Sequence, residues 1–104
     1  MSKDEVVFKL KKFGGLLRNS GINVEMMYLF GSYAKGTAKS YSDIDVCVVS
    51  KDLSDDMVGE MVRLGKFSDR IDDSIEVHPM RLDDFGEKYN GLAAEVKKYG
   101  MRII

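Results

Sequence analysis

The length, composition and charge of the chain favour one small globular domain and argue against a general nucleic-acid-binding protein. It has 104 residues, 44% of them hydrophobic and 32% charged, which is too apolar for a disordered chain, so we expect one domain over residues 1–104. Lysine and arginine total 16 against 17 acidic residues, a formal net charge of -1, whereas general nucleic-acid binders carry a basic excess on one surface.

The chain shows no sequence signal for export or for membrane insertion. The N-terminal sequence MSKDEVVFKLKK has charges inside its apolar stretch, unlike a signal peptide. No apolar run approaches the roughly 20 residues that a membrane span needs. The single cysteine, Cys47, has no partner for an internal disulfide and no zinc-ligand spacing. We therefore expect a cytoplasmic protein without a membrane partner.

The first quarter of the sequence predicts a helix followed by a strand. Ser2 and Glu5 have capping-box spacing, which predicts a helix start at the N-terminus. Apolar residues follow at helical spacing, and Ser20-Gly21 closes the helix. The sequence NVEMMYLF, residues 23–30, then predicts a short buried strand that ends at Gly31.

The remaining elements alternate between strands and helices. The small, polar residues 31–42 predict a loop with room for one helical turn. The further predictions are a strand over 43–50, a helix over 54–69, a strand over 74–80 ended by Pro79, and one or two short helices over 82–99 broken near Asn90-Gly91. This order predicts an α/β fold in which helices pack on a small mixed sheet.

Three short motifs carry the candidate chemistry. Gly31-Ser32 follows a strand directly, where a glycine lets the backbone approach a ligand and the serine can bind phosphate oxygens. Asp43 and Asp45 are two residues apart in a strand, so both point to one face, and two such carboxylates favour a cation such as magnesium. Glu76 is an acid within an apolar strand, and could complete a two-metal site if that strand lies beside the first.

Each motif alone is also consistent with an ordinary structural role. Asp-x-Asp at the start of a strand occurs as a solvated strand end, Gly-Ser as a simple turn, and a lone glutamate on an exposed sheet face. His78 shares the strand parity of Glu76 and could approach the same site, although a structural histidine beside Pro79 is the alternative we favour.

Together, the motifs resemble the minimal nucleotidyltransferases of the DNA polymerase beta superfamily. Their shared pattern is Gly31-Ser32, ten intervening residues, and Asp43-x-Asp45. At average residue usage this pattern matches at about one start position in 10⁵, so coincidence in a chain this short is improbable. The resemblance covers residues 28–80 and implies the nucleotidyltransferase fold.

The resemblance also implies roles for the site residues. Asp43, Asp45 and Glu76 would be the catalytic acids and the ligands of two Mg²⁺ ions, and ATP would be the substrate. Nucleotide binding would involve Gly31, Ser32, Lys35 and Ser42. Two departures stand out: Lys35 replaces a frequent arginine and lacks its bidentate fork, and Glu76 replaces a common aspartate and extends one methylene further.

The implied reaction is AMP transfer to the hydroxyl of a partner protein. The chain resembles the antitoxin of a toxin–antitoxin pair whose toxin is a helical HEPN-type ribonuclease, and its apolar end, residues 101–104, favours a protein partner. Two alternatives stay open: an antitoxin without catalytic activity that acts by covering its toxin, and a nucleotidyltransferase for small molecules such as aminoglycosides.

Overall fold

The computed structural model describes residues 1–104 and contains one mixed four-stranded sheet with helices on both faces. The predicted α/β fold is confirmed. In chain order the elements are α1 (Lys3–Asn19), β1 (Met26–Phe30), α2 (Ser32–Lys35), β2 (Ile44–Ser50), α3 (Met57–Ser68), β3 (Ile75–Arg81), α4 (Leu82–Phe85), α5 (Gly91–Tyr99) and β4 (Met101–Arg102). None of these helices has both the length and the apolar character that crossing a membrane requires.

The order of the strands, β3-β2-β1-β4, together with their directions, determines which strand ends lie side by side. β1 is antiparallel to both β2 and β4, whereas β2 and β3 are parallel and joined through α3, since parallel neighbours need a crossover connection. The C-terminal end of β1 therefore lies at the same edge of the sheet as the N-terminal ends of β2 and β3. All three predicted motifs lie at or next to this edge.

The alternation of side chains along β2 divides the core between the two sheet faces. Val46 and Val48 belong to a cluster that includes buried residues of α1 and α3, while Cys47 and Val49 pack with Ala93 and Val96 of α5. Asp45 has the parity of Cys47, and so lies on the face covered by α5.

The predicted helix boundaries are largely confirmed. α1 begins with the capping box: the Ser2 hydroxyl accepts a hydrogen bond from the Glu5 N–H, and the Glu5 carboxylate accepts one from the Ser2 N–H. The segment 82–99 forms two helices, and Asn90 caps the second by accepting from the Ala93 N–H.

Pro79 does not end the third strand, which corrects the prediction. β3 continues to Arg81, and Pro79 pairs in register with Val48. β3 is an edge strand of the sheet, where a residue without an N–H is tolerated because its outer side needs no ladder partner.

The apolar C-terminal end, residues 101–104, packs in part against the chain's own fold. Met101–Arg102 forms β4 beside β1, and Ile103 and Ile104 pack against the larger core cluster. A Cβ added to Gly14 of α1 would lie 2.4 Å from Ile104 Cδ1, so Gly14 allows close packing of this end.

Candidate active site

The turn after β1 requires glycine at its first position. Gly31 has φ 72° and ψ -152°, a backbone region open essentially to glycine alone. An added Cβ would lie 2.3 Å from Asp45 Oδ2, which is less than any tolerable contact. The turn therefore packs directly against the carboxylate of β2, so that the first two predicted motifs are in contact.

The strand register brings Glu76 beside Asp45. The two residues are partners across the parallel β2–β3 ladder, and both side chains lie on the face covered by α5. The Asp45 side chain is 25% exposed and that of Glu76 is 48% exposed. Glu76 therefore forms the solvent-facing side of the pair. The adjacency of these strands, on which the predicted role of Glu76 depended, is present.

His78 joins the two carboxylates. Its Nε2 lies 3.3 Å from Asp45 Oδ1 and 3.8 Å from Glu76 Oε1, and one ligand atom from each of the three residues lies within 4.8 Å of the other two. We call Asp45, Glu76 and His78 the edge cluster. The favoured interpretation of His78 as a purely structural residue missed this contact, although its parity with Glu76 was the signal for it.

An apolar floor lies beneath the edge cluster. The Phe30 ring meets the His78 ring edge-on, with centroids 4.9 Å apart, and Cys47 is the register partner of His78 on β2. Cys47 is fully buried, and this burial raises its pKa to about 12. Its thiol therefore stays protonated and is part of the core.

Asp43 and Ser32 lie next to the edge cluster but are not members of it. Asp43 is exposed and precedes β2 by one residue, so it lies outside the regular ladder. Ser32 opens the single-turn helix α2, whose first N–H groups have no acceptor within the helix. Tyr33, the next residue, is buried in the core.

Lys35 and Ser42, the other predicted nucleotide contacts, interact with the chain itself. Lys35 Nζ lies 3.4 Å from Glu95 Oε1 and 5.0 Å from the centroid of the Tyr99 ring, both on α5. The Ser42 hydroxyl oxygen accepts a 2.8 Å hydrogen bond from the Lys39 N–H and thereby closes the loop before β2. Their roles in nucleotide binding stay predictions.

The chemistry of the edge cluster fits a divalent cation. Carboxylate oxygens are preferred by magnesium, calcium and manganese, and imidazole nitrogen by zinc and other transition metals. Asp45 offers one oxygen towards His78 and holds the other against Gly31. A cation bound there would lie beside the glycine turn.

The chain belongs to the nucleotidyltransferase domain family, whose model matches residues 9–99. It is similar to the protein adenylyltransferase MntA of Shewanella oneidensis, with 32% identity over 66 residues. That match covers 64% of this chain and 47% of the relative, so the chain spans about half the length of this curated relative.

Two solved structures share the fold. A toxin–antitoxin with AMP-PNP has a TM-score of 0.65 and 26% identity, covering 94% of this chain and 72% of that one. A mutant of the toxin–antitoxin MntA–HpeT has a TM-score of 0.63 and 26% identity, covering 90% of this chain and 71% of that one.

Proposed function

We propose that this chain transfers AMP from ATP to a hydroxyl group of a partner protein and thereby acts as the antitoxin of a toxin–antitoxin pair. The observation that carries the proposal is the pairing of Asp45 with Glu76 beside the Gly31 turn. Paired carboxylates next to a phosphate-binding turn are the parts that nucleotidyl transfer requires, because a triphosphate and its cations must be held together.

The relatives support AMP as the transferred group and a toxin as the type of partner. The Shewanella protein is named a protein adenylyltransferase, and one related toxin–antitoxin structure holds AMP-PNP. The second carries two aspartate-to-glutamate substitutions two positions apart, which is the spacing of Asp43 and Asp45. The partner would be a helical HEPN-type toxin, and the reaction would take place in the cytoplasm, where ATP is abundant.

The residues of the turn, of the loop that follows it and of β2 would hold the nucleotide and its cations. The N–H groups of α2 and the Ser32 hydroxyl would donate to phosphate oxygens, and Lys35 could turn from Glu95 towards the phosphates because that ion pair is exposed. Ser42 would hold the loop before β2, and its hydroxyl would donate a hydrogen bond to the nucleotide. Asp43 and Asp45 would hold the magnesium ion that accompanies the triphosphate, and Asp45 and Glu76 would hold a second ion.

The proposed reaction is an in-line displacement at the α-phosphorus. The acceptor hydroxyl oxygen forms a bond to this phosphorus, the bond to the bridging oxygen of the β-phosphate breaks, and pyrophosphate leaves with the electron pair. Glu76 suits the acceptor side because it is the most exposed acid of the edge cluster, and its carboxylate would accept the hydroxyl proton. Bound cations would neutralise the charge that develops on the phosphate oxygens.

A labelling assay tests this proposal. The chain is incubated with magnesium, ATP labelled on its α-phosphate, and its candidate toxin partner, and we expect the label on the toxin. Asp45→Asn should reduce labelling by at least a hundredfold, because the variant removes charge from both proposed cation positions. Asp52→Asn, an exposed aspartate just beyond the opposite end of β2, is the matched control and should label normally.

The same assay separates the two alternatives. Toxin silencing that survives both Asp43→Asn and Asp45→Asn, without any label on the toxin, would favour an antitoxin that acts only by binding. Label on a small acceptor such as an aminoglycoside, with none on the toxin, would favour a small-molecule nucleotidyltransferase. Either result would contradict protein adenylylation.

A further inference from the structure

We propose that His78 is a nitrogen ligand of the cation held by Asp45 and Glu76, and that this position prefers a transition-metal ion such as cobalt or zinc over magnesium. The inference rests on the proposed function only in that it places a divalent cation at these acids. It assigns to the edge cluster a different metal preference from the oxygen-only position of Asp43 and Asp45.

The spacing of the donor atoms suits one shared ion. Nε2 of His78 lies 3.3 Å from Asp45 Oδ1 and 3.8 Å from Glu76 Oε1. Two ligands of one ion at about 2.1 Å each lie at most about 4.2 Å apart. Both distances fall below this limit, and the third pair, Asp45 and Glu76, lies within 4.8 Å, so small side-chain adjustments would let the three share one ion.

The surroundings hold the imidazole in this orientation. One side of the ring contacts Phe30, which is 5% exposed, and the backbone of His78 is paired in register with the buried Cys47. The imidazole therefore has little freedom to turn away from the carboxylates. A ligand that is already ordered loses little conformational entropy when it binds.

The nitrogen donor changes the metal preference of the position. Magnesium takes oxygen ligands and keeps several waters, while imidazole strengthens binding of cobalt, nickel and zinc. Asp43 lies outside the edge cluster, so a cation that it shares with Asp45 and phosphates would meet oxygen ligands only. One active site would thus combine a magnesium position with a transition-metal position.

Nuclear magnetic resonance of the histidine tests the ligation directly. His78 is the only histidine of the chain, so every imidazole nitrogen signal of a ¹⁵N-labelled sample belongs to it. The probe is ¹¹³Cd²⁺ added to the full chain without ATP or partner. We expect a one-bond ¹¹³Cd–¹⁵N coupling at Nε2, which only a direct metal–nitrogen bond produces, and its loss in Asp45→Asn.

Calorimetric titration supplies the metal preference. We expect His78→Gln to weaken Co²⁺ binding by at least about tenfold and to change Mg²⁺ binding less than twofold, with an unchanged circular dichroism spectrum. Asp83→Asn, in the acidic group near Arg81 at the other end of β3, should change neither affinity.

Two results would overturn the inference: an absent cadmium coupling, or equal losses of Co²⁺ and Mg²⁺ affinity in the folded His78→Gln variant. Neither measurement uses ATP or the toxin, so a failed labelling assay would leave this inference standing. Labelling without a cadmium coupling would reject the histidine ligand and keep adenylyl transfer.

Discussion

At the scale of single residues, the contact between Gly31 and Asp45 connects the backbone turn to the acid that we place at the centre of the site. The glycine conformation is inaccessible to other residues, and the space of its missing side chain is taken by the Asp45 carboxylate. Gly31 therefore allows the Asp45 carboxylate to lie directly against the turn.

We predict that Gly31→Ala displaces Asp45 and costs about 1 to 3 kcal/mol of stability from backbone strain, plus a contribution from the clash. Gly36→Ala is the matched control, because Gly36 also has a positive φ of 76° but an added Cβ would meet nothing within 4 Å. It should cost about 1 to 2 kcal/mol and keep metal binding. Urea denaturation and Mn²⁺ titration measure both effects, and equal loss of metal binding in both variants would contradict this prediction.

At the scale of elements, a partly buried contact between α1 and the turn before β3 supports the strand that carries Glu76. Asp72 accepts hydrogen bonds from Lys9 Nζ at 2.5 Å, from the Ser74 hydroxyl at 2.6 Å and from the Ser74 N–H at 2.8 Å. The Lys9 bond first, and then the two Ser74 bonds, lower the pKa of Asp72 from its usual 3.8 to about 2. The same pairing raises the pKa of Lys9.

This pKa shift predicts a specific acid dependence of stability. The folded-state pKa of Asp72 is below its unfolded value, so the stabilisation is complete above pH 3.8 and is lost as the pH falls towards 2. Asp72→Asn should cost about 1 kcal/mol at pH 7 and flatten the loss of stability between pH 4 and 2. The control variant Asp73→Asn, at an exposed neighbouring residue, should change neither the stability at pH 7 nor its loss between pH 4 and 2. Urea denaturation across this pH range would contradict the assignment if both variants behaved alike.

The sequence predicted the longer elements because their signals are local. The capping box of α1 and the β-branched run of β2 are contained in a few neighbouring residues. Pro79 was misinterpreted because its tolerance depends on β3 lying at the sheet edge, which no local pattern reveals. β4 was missed because two residues carry no periodicity, and its position depends on Ile103 and Ile104 packing near Gly14.

At the scale of the whole molecule, the candidate site is a product of sheet topology. The antiparallel turn into β2 and the parallel crossover to β3 bring Gly31, Asp45 and Glu76 to one edge, although they span 46 positions of the sequence from residue 31 to residue 76. Motif spacing identified these residues as candidates, and the strand register shows that they lie close together. That His78 belongs to the edge cluster follows only from the register of β3 against β2. Strand parity alone was consistent both with a site residue and with a structural histidine.

The most direct test of the account is a crystal structure of the chain with Mn²⁺ and a non-hydrolysable ATP analogue, with anomalous scattering used to locate the manganese. The account predicts an anomalous peak coordinated by Asp45 and Glu76, and triphosphate oxygens within hydrogen-bonding distance of Ser32. A triphosphate bound away from this turn, with Glu76 directed to solvent and no manganese at Asp45, would contradict it.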